Sequence, residues 1–367
     1  MFAVKSFASA MMGMVIGLGF APASAQEEKV VNVYNWADYI GETTLKDFEE
    51  ATGIKVVYDT YDASETVDAK LLAGRSGYDV VLHSSSFIPR LIQAGIVQKL
   101  DKAALTGWSH LDPELIQKME AWDPGNQYAV PYMWGTAGVT YNTDMVSERI
   151  KDAPYNSLDM LFKEEYSSKL ADCGISILDS PTDIVPMVLS YLGKDPQSEN
   201  PEDFDAVVAA FQPIRKYIKT FDSANYLNAL PNKELCMVFN WSGDYATATQ
   251  RAEDAKVEIN LAYYVPSTGS PAWFDAWIVP ADAPHAENAM KFINFLLDPK
   301  AIADATNFTY YANANKDAVE FVNKDILNDP AVYPTPELMK RLWNPHIYSQ
   351  KGQRALTRAW SRIKTGQ

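Results

Sequence analysis

From Val30 onward, short β-branched runs alternate with helical stretches, and that alternation limits the fold more than any other feature. "KVVNVYNW" reads as a strand. A helix near 42–51 follows and stops at Gly53, because glycine takes the left-handed conformation that ends helices. "IKVVYDTY" is a second strand, residues 65–72 a second helix terminated by "AGRSG", and "YDVVLH" a third strand. Strands alternating with helices predict a parallel sheet with helices on both faces. Ligands of such sheets bind beyond the carboxyl ends of strands, where residues 36–38 and 83–86 fall.

The 367 residues suit two domains better than one core. "YAVPYMWGTAGVTYN" is a long extended segment in which Gly135 and Gly138 permit bending and close approach, and it reads as a first crossover between lobes. Beyond it, "CGISILDS" and "LCMVFNW" are buried strands of a second α/β lobe. Between them Phe204, Val207, Val208, Phe211, Ile214, Ile218 and Phe221 recur at helical spacing and predict one amphipathic helix. "VEINLAYYVPSTGSPAWFDAWIVP" returns to the first lobe, and "YYANANKDA" crosses again. The expected division is 27–133 with 270–312 for lobe one, and 138–262 with 317–367 for lobe two. The crossovers fall near 134–137, 263–269 and 313–316. Two lobes whose strand ends face each other form a cleft that can close on a small molecule by hinge motion.

Residues 1–25 carry the marks of an export signal: Lys5, the apolar "MMGMVIGLGF", and small residues ending at Ala25. The apolar run is too short to span a bilayer comfortably, and no cysteine at the cleavage point offers a lipid anchor. The mature chain is expected in the periplasm, monomeric and without a membrane anchor. The net charge of −15 leaves little basic excess to neutralise phosphates, which disfavours nucleic acid as a partner. Cys173 and Cys236 are the only cysteines, and in an exported chain an even pair reads as a disulfide rather than two buried thiols.

Three stretches place an aromatic beside an aspartate: "YNWADYIG", "FNWSGDYA" and "AWFDAWIVP". Taken singly, an Asp after a strand is most simply a helix cap, and a Trp there most simply core. Taken together they supply what an elongated organic cation needs. Flat rings cover its methylenes and attract its charge, and carboxylates accept hydrogen bonds from its ammonium ends. An ammonium buried without an acid would be prohibitively costly.

The same stretches, with "FEEATGIKVVYD", "KLLAGRSGYDVV", "PYMWGTAGVTYN", "YYANANK" and "TRAWSRIKTG", resemble the putrescine/spermidine-binding proteins of bacterial polyamine ABC importers. The likeness runs from about Val30 to the C-terminus and is closest to the putrescine-binding branch. It implies the two-lobed α/β fold of type II periplasmic binding proteins, a polyamine ligand, an inner-membrane permease as partner, no cofactor and no catalysis. It also implies roles. Trp36 and Tyr39 are aromatic walls with Asp38 the acid between them, and Ser84 is a hydroxyl for the amine. Trp241 and Asp244 form a second-lobe platform and a principal carboxylate. Trp273, Asp275 and Tyr311 supply an aromatic, the other principal carboxylate and a further wall. Cys173 and Cys236 fall where that branch has its disulfide. Three positions depart from the pattern. Ala37 replaces a hydroxyl residue and leaves only backbone contacts. Asp183 replaces a longer Glu, which implies contact with the distal amine through water. Trp273 is larger than the usual phenylalanine. All three leave the choice of polyamine open.

Other readings compete. Adjacent Tyr310 and Tyr311 could ligate ferric iron as phenolates, although none of the four histidines has a ligand-like spacing to another. Asp244 and Asp275 could serve as an acid–base pair, but no nucleophile elbow, phosphate loop or dinucleotide fingerprint accompanies them. A periplasmic sensor subunit would use the same pocket.

Overall fold

The structure is a computed structural model, described over residues 1–2 and 27–367. All but the first two residues of the expected signal segment lie outside the described residues.

The first lobe is built on β1 (Val30–Trp36), β2 (Lys55–Tyr61) and β3 (Val80–Ser84), with β1 paired parallel to both others. β1 and β3 sit inside the sheet, so their runs of Val, Tyr and Leu are buried almost throughout. The helix Thr44–Thr52 between β1 and β2 ends at Gly53, whose φ of 67° only glycine adopts freely.

β4 (Ala129–Asn142) is a single strand of 14 residues that belongs to both lobes. The second lobe adds β5 (Ile175–Ile177), β6 (Ile218–Phe221), β7 (Met237–Trp241) and β8 (Leu261–Tyr264). β9 (Ser270–Ile278) returns to lobe one, followed by the short β10 (Ala312–Asn313) and β11 (Leu342–Trp343). The strand order is β2-β1-β3-β9-β4-β7-β5-β6, with β10 and β8 on β4 and β11 on β9. Ala129 to Thr136 of β4 align with β9, and Ala137 to Tyr141 with β7. β9 runs antiparallel to both β3 and β4, and β7 antiparallel to β4, so both lobes have mixed rather than purely parallel sheets.

Two hydrophobic clusters form. One gathers Val31, Leu82, Trp277 and Phe292, and the other Ile175, Phe204, Val238 and Trp360; Trp241 packs on both. The cluster membership departs from the expected division in one place. Ala318, Val322, Ile326 and Val332 pack in the first cluster, and only from Tyr348 onward does the chain rejoin the second. β10 pairs back onto β4 at Met133 and Trp134, which keeps the segment after it on lobe one. The last passage between lobes therefore follows β11, near 344–347.

The predicted helix over residues 204–221 is also shorter than expected. It spans Pro201–Phe211, capped by the Asn200 side chain, and Ile218 and Phe221 belong to β6. Pro213 lacks the amide that would continue the helix. The C-terminal helix Gln350–Thr365 buries Leu356, Ala359, Trp360 and Ile363 along one stripe against the second lobe. Cys173 and Cys236 form a disulfide across the starts of β5 and β7, with Cα atoms 5.5 Å apart and a sequence separation of 63.

Candidate functional site

Trp36, Ser84 and Trp241 end β1, β3 and β7, and Asp183 lies in the first turn of the helix Pro181–Tyr191 that follows β5. All therefore sit at the carboxyl ends of strands, where the two sheets face each other. Between them lies a cleft whose void, open mouth included, is about 1100 Å³. Trp36, Ala37, Asp38, Tyr39, Ser84, Asp183, Trp241, Asp244, Trp273, Asp275 and Tyr311 all line it.

Asp275 lies on β9 opposite Ser84 of β3, and the Ser84 hydroxyl donates to its Oδ1 at 2.8 Å. The residue is only 5 % exposed. Burial pushes its pKa from 3.8 up to about 7, the Asp183 charge adds to this, and the Ser84 and nearby Tyr39 hydroxyls partly offset it. Asp244 comes from the other lobe, in the first turn of the helix Asp244–Asp254, and is 8 % exposed. Both of its oxygens are held by phenols: Tyr226 donates to Oδ2, and Tyr311 to Oδ1 at 2.5 Å. Burial again dominates and raises its pKa to about 6. Asp183 accepts from the Ser180 hydroxyl at 2.7 Å and from the Trp241 indole at 3.2 Å, and burial raises its pKa too. Neither Asp244 nor Asp38 caps a helix with its side chain.

The rings form the walls. Tyr39, Trp273 and Tyr311 meet edge-on with centroids 5.1 to 6.4 Å apart. Across the cleft, Trp36 and Trp241 meet edge-on at 5.9 Å. Asp38 behaves differently from the other acids. Its backbone is left-handed, with φ 54°, and its exposed carboxylate pairs with Arg251 of the opposite lobe at 3.0 Å. It ties the lobes at the rim.

Sequence reasoning missed Tyr226, which lies in a segment with no motif and reaches Asp244 only through the fold. It also missed Asp62 and Glu65, which line the cleft just past the end of β2. The strand-end rule applied to β1 and β3 would have found both. Asp179 lines the cleft as well, but Lys364 neutralises it at 2.9 Å. Among the described residues no lysine, arginine or histidine lines the cleft. Tyr310 and Tyr311 diverge: Tyr310 donates to Gln250 at 3.0 Å while Tyr311 turns to Asp244. Among the described residues no group of three or more His, Cys, Asp or Glu could hold a metal ion. No helix among them is long and apolar enough to cross a membrane.

Two α/β lobes enclosing a buried, acidic, ring-walled cleft define a solute-binding protein. Residues 43–335 match the bacterial extracellular solute-binding protein family, and the chain belongs to it. It is 44% identical over 365 residues to the putrescine-binding periplasmic protein SpuD of Pseudomonas aeruginosa, covering 99% of this chain and 100% of that one. It is 39% identical over 361 residues to the putrescine-binding periplasmic protein PotF of Escherichia coli, covering 98% and 96%. Among solved structures, the spermidine/putrescine ABC transporter substrate-binding protein PotD of Streptococcus pneumoniae superposes with a TM-score of 0.74 at 27% identity, covering 92% of this chain and 99% of that one.

Proposed function

We propose that this chain captures a polyamine in the periplasm and delivers it to an ABC importer. One observation carries the reading. Asp244 and Asp275, one from each lobe, are buried among aromatic rings in a cleft lined by no cationic side chain among the described residues. Two such carboxylates need a positive counterpart, and a polyammonium chain supplies two or more on an apolar stem. The names of SpuD, PotF and PotD support the same ligand class.

Binding needs no covalent step. In the open cleft the acids are wet and ionised. The ligand enters, its ammonium groups neutralise Asp244 and Asp275, and Asp183 takes a further positive end. Trp36, Tyr39, Trp241, Trp273 and Tyr311 box the methylenes. The lobes close about 134–137, 263–269 and 344–347, and Arg251 meets Asp38 at the rim. Only the closed form offers acids from both lobes at once, so the ligand's extra contacts there drive closure.

Calorimetric titration with putrescine, cadaverine, agmatine, spermidine and spermine tests the reading. At least one amine should bind with micromolar or better affinity, and ferric ion should not. Amines no tighter than millimolar, with tight ferric binding, would overturn it.

A further inference from the structure

Gly135 of β4 stands directly opposite Trp273 of β9 in the antiparallel register. A Cβ at position 135 would lie 2.6 Å from Trp273 Cζ2, 3.2 Å from its Cε2 and 2.6 Å from Ser242 Oγ. Gly135 is not among the positive-φ glycines, so its backbone admits an alanine. What position 135 lacks is space, because the indole already fills the volume of a side chain there.

The two neighbours differ in what they can yield. The Ser242 hydroxyl can turn about one bond, giving up only a long 3.4 Å hydrogen bond from the Thr136 amide. The indole has no such freedom. It is 7 % exposed, and Tyr39 and Tyr311 meet it edge-on at 6.4 and 5.3 Å. Trp273 lines the cleft, so an indole pushed off β4 has the ligand's slot to move into.

We propose that Gly135 is a positioning residue: its missing side chain lets the Trp273 indole lie back on the crossover strand, and this sets the width of the slot for the ligand's alkyl chain. The proposal rests on the polyamine reading above. Gly135 and Trp273 then act as one steric unit, and a substitution at either position is felt through the other. The contact with Ser242 adds a link to lobe two at the point where β4 passes between the lobes.

Putrescine and spermine titrated into the wild type, G135A, W273F and G135A/W273F decide the matter. In the Trp273 background, G135A should weaken amine binding by about tenfold or more, the scale of a forced overpacking. Phenylalanine lacks the outlying indole ring, so G135A/W273F should bind within about twofold of W273F, the mark of a coupled pair. If G135A fails to fold, a G135A/W273F protein that folds and binds within about twofold of W273F would support the proposal, and one that folds but binds much more weakly than W273F would overturn it. An equal loss in both backgrounds, or failure of both alanine proteins to fold, would overturn the proposal. A wild type that binds neither amine would instead refute the polyamine reading.

Discussion

Replacing Asp275 by asparagine removes a charge from a buried carboxyl while keeping its shape. With the carboxyl buried between the two lobes its pKa is about 7 against an ordinary 3.8, and each unit is worth roughly 1.4 kcal/mol. The closed state therefore holds this proton more tightly than the open one, and closure without ligand is opposed as pH rises through about 7. The opposition is largely absent below 3.8. Between pH 5 and 8 the penalty from Asp275 grows by at most about 2–3 kcal/mol, the limit for an opening that returns the carboxyl fully to water, or up to roughly a hundredfold in the closing equilibrium. Asp244, at about 6, adds roughly 1 kcal/mol over the same window. Small-angle scattering, or fluorescence transfer between labels on the two lobes, reads the outcome in ligand-free protein. The wild type should become more compact as the pH falls from 8 to 5. D275N should be more compact than wild type at pH 8 and should show only the smaller change due to Asp244 and Asp183, whose pKa values burial also raises. A pH-independent wild type, or a D275N protein that follows the wild-type curve, would refute the reasoning.

Three further outcomes follow from the same geometry. Y226F and Y311F each remove a phenol that stabilises the ionised Asp244, so amine affinity should fall by about 1.5–3 kcal/mol, and its acid limb should move to higher pH in titrations from pH 5 to 8. R251M breaks the rim pair with Asp38. That pair is exposed, so stopped-flow dissociation should quicken by less than about tenfold, and high salt should erase the difference. C173S should lower the stability of the second lobe by roughly 4 kcal/mol in urea melts, the chain-entropy scale for this loop, while the intact protein keeps its amine affinity.

Local signals were the most legible part of the sequence. The strands around Val33, Val81 and Val238 and the stop at Gly53 are written in residue type and spacing alone. Strand direction was not, because β9 pairs antiparallel with β3 through contacts some 190 positions apart, such as Ser84 with Asp275. The helix over 204–221 was overextended because Ile214, Ile218 and Phe221 keep a helical spacing by coincidence, and the break at Pro213 outweighs it. The last crossover was misplaced for a similar reason. "YYANANK" does lie at the lobe boundary, yet β10 folds back on β4 instead of crossing.

At the site, Trp36, Trp241 and Asp244 stood out because strand ends and aromatic–acid pairs are local patterns. Asp38 shared that pattern but turned outward to Arg251, which only the packing of one lobe against the other reveals. Tyr226 carried no local mark at all.

Calorimetric titration of putrescine into the wild type, D244N and D275N at pH 8 addresses the central claim, that two buried carboxylates from opposite lobes hold the charged ends of a polyamine. Each substitution should weaken binding by about 1.5–3 kcal/mol, the range for hydrogen bonds to charged groups. Wild-type affinity in both variants would contradict the claim.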